Sequence, residues 1–261
     1  MPRTARVVIP GLPHHIILRG NNRRRLFSYS TDYERFIWYL GRAMRRTGVR
    51  LHGLSLMMNH VHPIVTPPDA ATLARFVKLT AQRYAQFRNL RRDGSGKLFE
   101  ERYTCVPILT DEQLAVVTAY VDLNALRAHA VEDPADHRWS TYRLHAGLPD
   151  SGVPESLWTP SAWYLSLGAT PEARAACYRD FVASWAARYR AAEAAIPAES
   201  KRPALHARRL ERPDRSRAAD HGPSRAYQPK GQVTTARVQT ARSREKTSSC
   251  RTVKGVERVP P

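Results

Sequence analysis

The chain is short of cysteine, of acidic side chains and of long apolar runs, and each shortage narrows what it can be. Three cysteines, Cys105, Cys177 and Cys250, in 261 residues are too few and too scattered for a disulfide framework or a cysteine-built zinc site, so a reducing compartment is expected. No segment reaches the roughly 18 consecutive apolar residues that span a bilayer, and the opening MPRTARVVIPGLPHH is not of the secretory kind. A soluble, cytoplasmic protein with no membrane partner is the expectation. A Walker-type glycine loop is missing, which argues against a coupled helicase or nucleotide motor. So is the exposed aromatic run, in the GFGFV style, of an RNA-recognition sheet.

What is plentiful is arginine. The formal charge is +19, a bias towards polyanions such as nucleic acid. The charge is uneven: residues 201–261 hold 16 Lys and Arg against 5 Asp and Glu, and residues 1–200 hold 26 against 18. The basic tail has few large apolar side chains and cannot bury enough surface to offset chain ordering, so disorder is expected there. It is either a solvated extension or a loose electrostatic attachment to DNA.

Periodicity gives the order of elements. HHIILRG (14–20) reads as a strand closed by the turn residues Gly20, Asn21 and Asn22. Thr31 and Asp32 are candidate caps for a helix to about Arg46, with Phe36, Tyr39, Leu40, Ala43 and Met44 at helical spacing. VRLHGLSLMMN (49–59) and HVHPIVTP (60–67) suit a hairpin of strands. A helix over 71–89 follows, then a strand within KLFEERYTCVPIL (97–109), then a helix from Asp111 to about His129 capped by Thr110. The first six elements match the split βαβ, ferredoxin-like α+β arrangement, an antiparallel sheet with helices packed on one face. From Trp139 to Tyr189 the aromatic-rich sequence predicts further helical packing.

Two stretches carry chemistry. In MMNHVHPIV, His60 and His62 are alternate residues of a strand, so they face one way, about 6.5–7 Å apart. Two readings stand: hydrogen-bonded histidines of the fold, or two ligands of one divalent metal that still needs a third donor. In TAYVDLNALR (118–127), Tyr120 and Asn124 are one helical turn apart. They are either packing and surface polarity, or a nucleophilic hydroxyl beside a neutral oxygen ligand for a hard cation. The loop NNRRR (Asn21, Asn22, Arg23, Arg24, Arg25) is a candidate phosphate contact, with Arg19 before it and Arg102 as a weaker site. His14 and His15 are expected as structural or DNA-contacting residues rather than ligands, and His52 as structural.

Together HHIILRGNNRRRLF, MMNHVHPIV, GKLFEERYTCVPI and YVDLNALRAHAVEDPADHRWSTY resemble the REP-associated tyrosine transposases, members of the single-strand HUH (IS200-like) transposases. The resemblance covers about residues 10–148. It implies a catalytic domain over 1–148; the residues beyond read as a helical extension over 149–195 and a disordered basic tail over 196–261. It also implies that His60 and His62 bind Mg²⁺ or Mn²⁺, with Asn124 as the third ligand. Tyr120 then attacks the scissile phosphate of a single strand to give a 5′-phosphotyrosine. Hairpin (palindromic) DNA is the implied partner, the protein acting at the nucleoid as a monomer or a homodimer. Against the family's usual wording, Met58 stands where relatives often carry proline, Pro63 follows the second histidine directly, and NALRA replaces NPVRA. None of these touches the implied donors. Tyr84 and Tyr103 are the competing nucleophiles; the helical register of Tyr84 with Val77, Thr80 and Phe87, and the strand position of Tyr103, favour packing for both.

Overall fold

Four segments with strand periodicity pair into one antiparallel sheet in the computed structural model of the protein, which describes residues 6–92, 94–100 and 102–195. The basic tail expected at 196–261 lies outside them. The strands are β1 (His14–Arg19), β2 (Arg50–Met57), β3 (His60–Thr66) and β4 (Thr104–Pro107), in the spatial order β2-β3-β1-β4. This is the ferredoxin-like order.

Alternation sorts the two faces. Ile16 and Leu18 of β1, Leu54 and Leu56 of β2, and Val61 and Val65 of β3 turn to one side. There α1 (Ser30–Thr47) and α2 (Ala70–Arg91) bury Phe36, Leu40, Leu73 and Phe76 against them. Asp69 caps α2 by accepting from the Thr72 N–H at 2.7 Å. The start of α1 differs from expectation. Its N-cap is Tyr29, and Asp32 sits in the first turn, where one carboxylate oxygen accepts from the backbone N–H groups of Ser28 and Tyr29. Arg88 and Arg91 lie 3.6 Å from that buried carboxylate and balance its charge.

The opposite face carries His15, His60, His62 and Ile64. There α3 (Asp111–Asp122), capped by the Thr110 hydroxyl on the Gln113 N–H, packs Leu114 and Val121 against Ile64 and Ile108. This second face is therefore partly roofed by a helix of its own.

Two strand details follow from proline and from backbone hydrogen bonding. Pro63 sits in β3, a central strand, and not on an edge. The β1–β3 pairing joins His14 to Val65 and His15 to Ile64, lapses, and resumes at Leu18 and Val61; the lapse falls where Pro63 has no N–H to give. The backbone groups of its β2 neighbour Leu54 point away from β3, the N–H donating to the Thr141 hydroxyl at 2.9 Å and the carbonyl accepting from the Thr141 N–H at 2.8 Å. The strand expected within 97–109 is reduced to Thr104–Pro107. Residues near Phe99 still touch β1, through an isolated bridge from Gly20 to Phe99 and the Glu100 N–H on the Arg19 carbonyl.

The chain then adds α4 (Asn124–Arg127), α5 (Tyr142–His145), α6 (Ala162–Ser166) and α7 (Pro171–Ala194). Bonds from the Leu123 N–H to the Ala119 carbonyl and from the Arg127 N–H to the Leu123 carbonyl, both 2.9 Å, carry the helical path from α3 into α4. A second core joins Ala119, Leu123 and Leu126 to Tyr142, Tyr164, Tyr178 and Val182. At its centre Asp122 is fully buried and accepts from the Tyr178 hydroxyl at 2.6 Å and the Thr141 hydroxyl at 3.1 Å. Its carboxylate also bonds His145 Nδ1 at 2.8 Å. Asp122→Ala strips three buried groups of their partner and opens a cavity, and is expected to cost about 3–5 kcal/mol. Urea unfolding measures this, and a loss under about 1 kcal/mol would contradict the role given to Asp122.

Candidate metal and nucleophile site

His60 and His62 leave β3 on the face roofed by α3, with ring centroids 4.8 Å apart. Cross-strand register sets their neighbours: Met57 lies opposite His60 and Ser55 opposite His62 on β2, and Arg19 lies opposite His60 on β1. Gly20 follows Arg19 and turns the chain into the arginine loop. A Cβ there would stand 2.3 Å from the Arg24 carbonyl oxygen, so only glycine lets the loop fold back this tightly. The loop is tied to the β2–β3 turn by the Gly20 N–H on the Asn59 carbonyl and the Leu26 N–H on the Met58 carbonyl, both 2.8 Å.

Each histidine is oriented through Nδ1. His60 Nδ1 is 2.6 Å from Asn59 Oδ1, and His62 Nδ1 is 3.0 Å from Nε2 of His15. A ring that donates through Nδ1 keeps its lone pair on Nε2, the arrangement in which outer partners hold metal-ligating histidines. Nε2 of His62 is buried and has no hydrogen-bond partner among the described residues. A buried imidazole nitrogen with its lone pair unused inside a polar cluster is compatible with a metal ligand. His62 is only 2% exposed, and its pKa falls to about 2, first by burial and then by the charges of His60, His15, Arg19 and Arg127. It is therefore neutral and able to donate.

Tyr120 arrives from α3. Its ring stands edge-on to His62 and to His15, each at a centroid distance of 5.8 Å. Asn124 follows one turn later, 7% exposed, with its Nδ2 donating to the Val121 carbonyl at 3.4 Å. That leaves the amide oxygen as the group's remaining acceptor. Among the described residues no three His, Cys, Asp or Glu side chains cluster as a metal site; a third protein donor would be of another type, and the Asn124 oxygen is a candidate by its chemistry. Two imidazoles and a neutral oxygen suit a divalent ion of intermediate hardness. The donor set fits.

The other candidates separate. Tyr84 is fully buried in the core under the opposite face, its hydroxyl donating to the Leu26 carbonyl at 2.7 Å, and burial raises its pKa well above the usual tyrosine value. Tyr103 packs beneath the Arg6 guanidinium, 3.7 Å from its ring centroid. Of the basic candidates, Arg19 is exposed beside the histidines. Asn21, Asn22 and Arg23 form a short 3-10 turn, with Asn22 and Arg23 at positive φ. Asn22, Arg23 and Arg24 are exposed, whereas Arg25 is partly buried, with its charge near Tyr33. Arg102 is exposed at the approach to β4, which β1 separates from the histidine strand.

Two neighbours of Tyr120 were not foreseen from the sequence. His15 stacks on His62 at 5.2 Å. The Arg127 guanidinium lies over the Tyr120 ring, 4.6 Å from its centroid. Strand alternation along HHIILR carries the signal for His15, because it puts His15 on the face of Arg19; only register puts it beside His62.

The buried imidazoles make stability depend on pH. Burial holds the His15 pKa near about 4. Between about 6.5, the unfolded value, and 4 the unfolded chain therefore takes up a proton that the folded one refuses. Stability is full above pH 6.5 and falls as pH drops, each such histidine adding up to about 1.4 kcal/mol per pH unit. Urea midpoints of the chelator-treated protein should fall between pH 7 and pH 5, and His15→Gln should flatten the slope; a flat parent profile would contradict this.

In comparisons with known proteins, no curated protein matches the chain. Among solved structures, it resembles that of a REP-associated tyrosine transposase bound to a REP hairpin, at 16% identity and a TM-score of 0.47, covering 62% of this chain and 93% of that one. It also resembles a transposase structure from Deinococcus radiodurans, at 18% identity and a TM-score of 0.34, covering 46% and 96%. Residues 9–124 match the family model described as IS200-like transposase. That segment holds all four strands, both histidines, Tyr120 and Asn124, and over it the chain is similar to the IS200-like transposases.

Proposed function

We propose that the protein is a metal-dependent single-stranded DNA endonuclease and strand transferase acting on hairpin-forming DNA, with Tyr120 as nucleophile. The observation that supports this best is the meeting of Tyr120 with His62 and His15, residues remote in sequence, on one face of the sheet. His60, His62 and Asn124 would hold Mg²⁺ or Mn²⁺, which when bound neutralises and orients the scissile phosphate. The Tyr120 oxygen forms a bond to phosphorus and gives up its proton to solvent. The bond from phosphorus to the 3′ oxygen breaks, and that oxygen leaves as a hydroxyl by taking a proton from water. The 5′-phosphotyrosine keeps the energy of the broken bond, so a second 3′-hydroxyl can displace Tyr120 and reseal the strand without ATP. Arg19 and the loop arginines Arg23 and Arg24 meet backbone phosphates, which fixes register without reading bases. The hairpin substrate rests on the motif resemblance, and its place is with DNA at the nucleoid.

Incubating the full chain with labelled single-stranded palindromic DNA and Mn²⁺, followed by denaturing electrophoresis, tests the proposal. A labelled band that survives SDS and disappears with chelator is expected. Tight binding without any covalent species would instead favour a nucleic-acid-binding protein that kept the fold and lost the chemistry.

A further inference from the structure

The family match ends at Asn124, yet the contacts of Tyr120 do not. The Arg127 guanidinium lies over the Tyr120 ring at 4.6 Å and faces the Tyr189 ring of α7 at 5.5 Å, and the Tyr189 hydroxyl donates to the Arg127 carbonyl at 3.2 Å. Tyr189 is itself firmly placed. On α7, Tyr178, Val182, Ala186 and Tyr189 recur at helical spacing along one face. Tyr178 is anchored on Asp122 at 2.6 Å, while Val182 and Ala186 are buried in the second core. Arg179 adds a bond to the Ala146 carbonyl at 2.6 Å. A chain of packed groups thus runs from Asp122 along α7 to Tyr189, on to Arg127, and back to Tyr120.

We infer that Arg127 is a positioning residue for the nucleophile and that α7 holds it there through Tyr189, so that a helix outside the family-matched segment completes the site. The inference rests on the proposed role of Tyr120. A guanidinium over a tyrosine ring favours one ring orientation, and Arg127 is exposed enough for its N–H groups also to meet a phosphate oxygen. Tyr189 acts only through Arg127; no contact joins it to Tyr120 among the described ones.

The test is the single-turnover rate of covalent adduct formation by the full chain at saturating hairpin DNA and Mn²⁺. Variants whose thermal midpoints stay within about 2 °C of the parent qualify. R127A is expected to slow the step about 10- to 100-fold, the loss of one cation–π contact and one charged hydrogen bond, and R127K to recover part of it. Y189A is expected to slow it less, and Y189F, which keeps the ring, to stay nearer the parent. The pair R127A/Y189A should be no slower than R127A alone, because both remove one interaction. Parent rates for R127A, or a double variant slowed by the product of the single effects, would overturn the inference. A second readout does not depend on activity: with 3-fluorotyrosine at position 120, the ¹⁹F resonance should move in Y189A as it does in R127A, and an unmoved signal in Y189A would overturn it. A parent chain that forms no adduct would sink the proposed chemistry, and the fluorine signal would still decide the placement of Arg127.

Discussion

Tyr120→Phe is expected to form no covalent complex with hairpin DNA while folding, metal binding and DNA affinity stay near those of the parent. The substitution removes one oxygen from a partly buried ring and leaves its contacts with His15, His62 and the α3 cluster. Loss of a covalent nucleophile removes the reaction path itself, so the drop should be on the order of 10⁴-fold or more. Tyr84→Phe gives the contrast. Its hydroxyl bonds the Leu26 carbonyl inside the core, so its loss should cost about 1–3 kcal/mol of stability and leave adduct formation in the folded protein unchanged. Adducts that survive Tyr120→Phe and vanish with Tyr84→Phe or Tyr103→Phe would reverse the assignment.

His62→Gln is expected to weaken Mn²⁺ binding at least about 100-fold and to slow strand cleavage about 10³-fold, because on the proposed chemistry a neutral ligand and a buried anchor of the cluster are lost together. The orphaned Nε2 of His62 is the basis for this: no described residue bonds that nitrogen, whereas His15 and Asn59 satisfy the Nδ1 atoms of the two histidines. His15→Ala should give a smaller effect, about 10- to 100-fold, since on the proposed metal site His15 orients a ligand without being one. Calorimetric titration with Mn²⁺ and single-turnover cleavage measure both. Unchanged metal affinity in His62→Gln would show that the imidazole pair is only a polar element of the fold.

Most of the sheet was legible in the sequence because alternation and turn residues are local signals. The β1 turn at Gly20, the β2–β3 hairpin, the Thr110 cap and the core register of Tyr84 all come from neighbours within a few positions. What escaped was long-range. KLFEERYTCVPIL reads as holding a strand without marking its ends, and only Thr104–Pro107 keeps the β1 ladder. Asp32 looks like an N-cap, but the helix begins earlier and uses it inside the first turn. Asp122, His145 and Tyr178 meet across 23 and 56 residues, and no local pattern marks them. At the site, the spacing of His60 and His62 and the helical turn between Tyr120 and Asn124 were readable, while the meeting of Tyr120 with His62 came only from the motif resemblance. His15 and Arg127 needed the register of β1 on β3 and the path of the chain past Asn124.

The covalent species itself offers the most direct measurement. Trypsin releases residues 103–127 as one peptide, with Tyr103 and Tyr120 as its only tyrosines. After reaction with hairpin DNA, nuclease trimming and digestion, fragmentation of that peptide should place the residual nucleotide on Tyr120. A nucleotide on Tyr103, or on any peptide outside 103–127, would contradict the account.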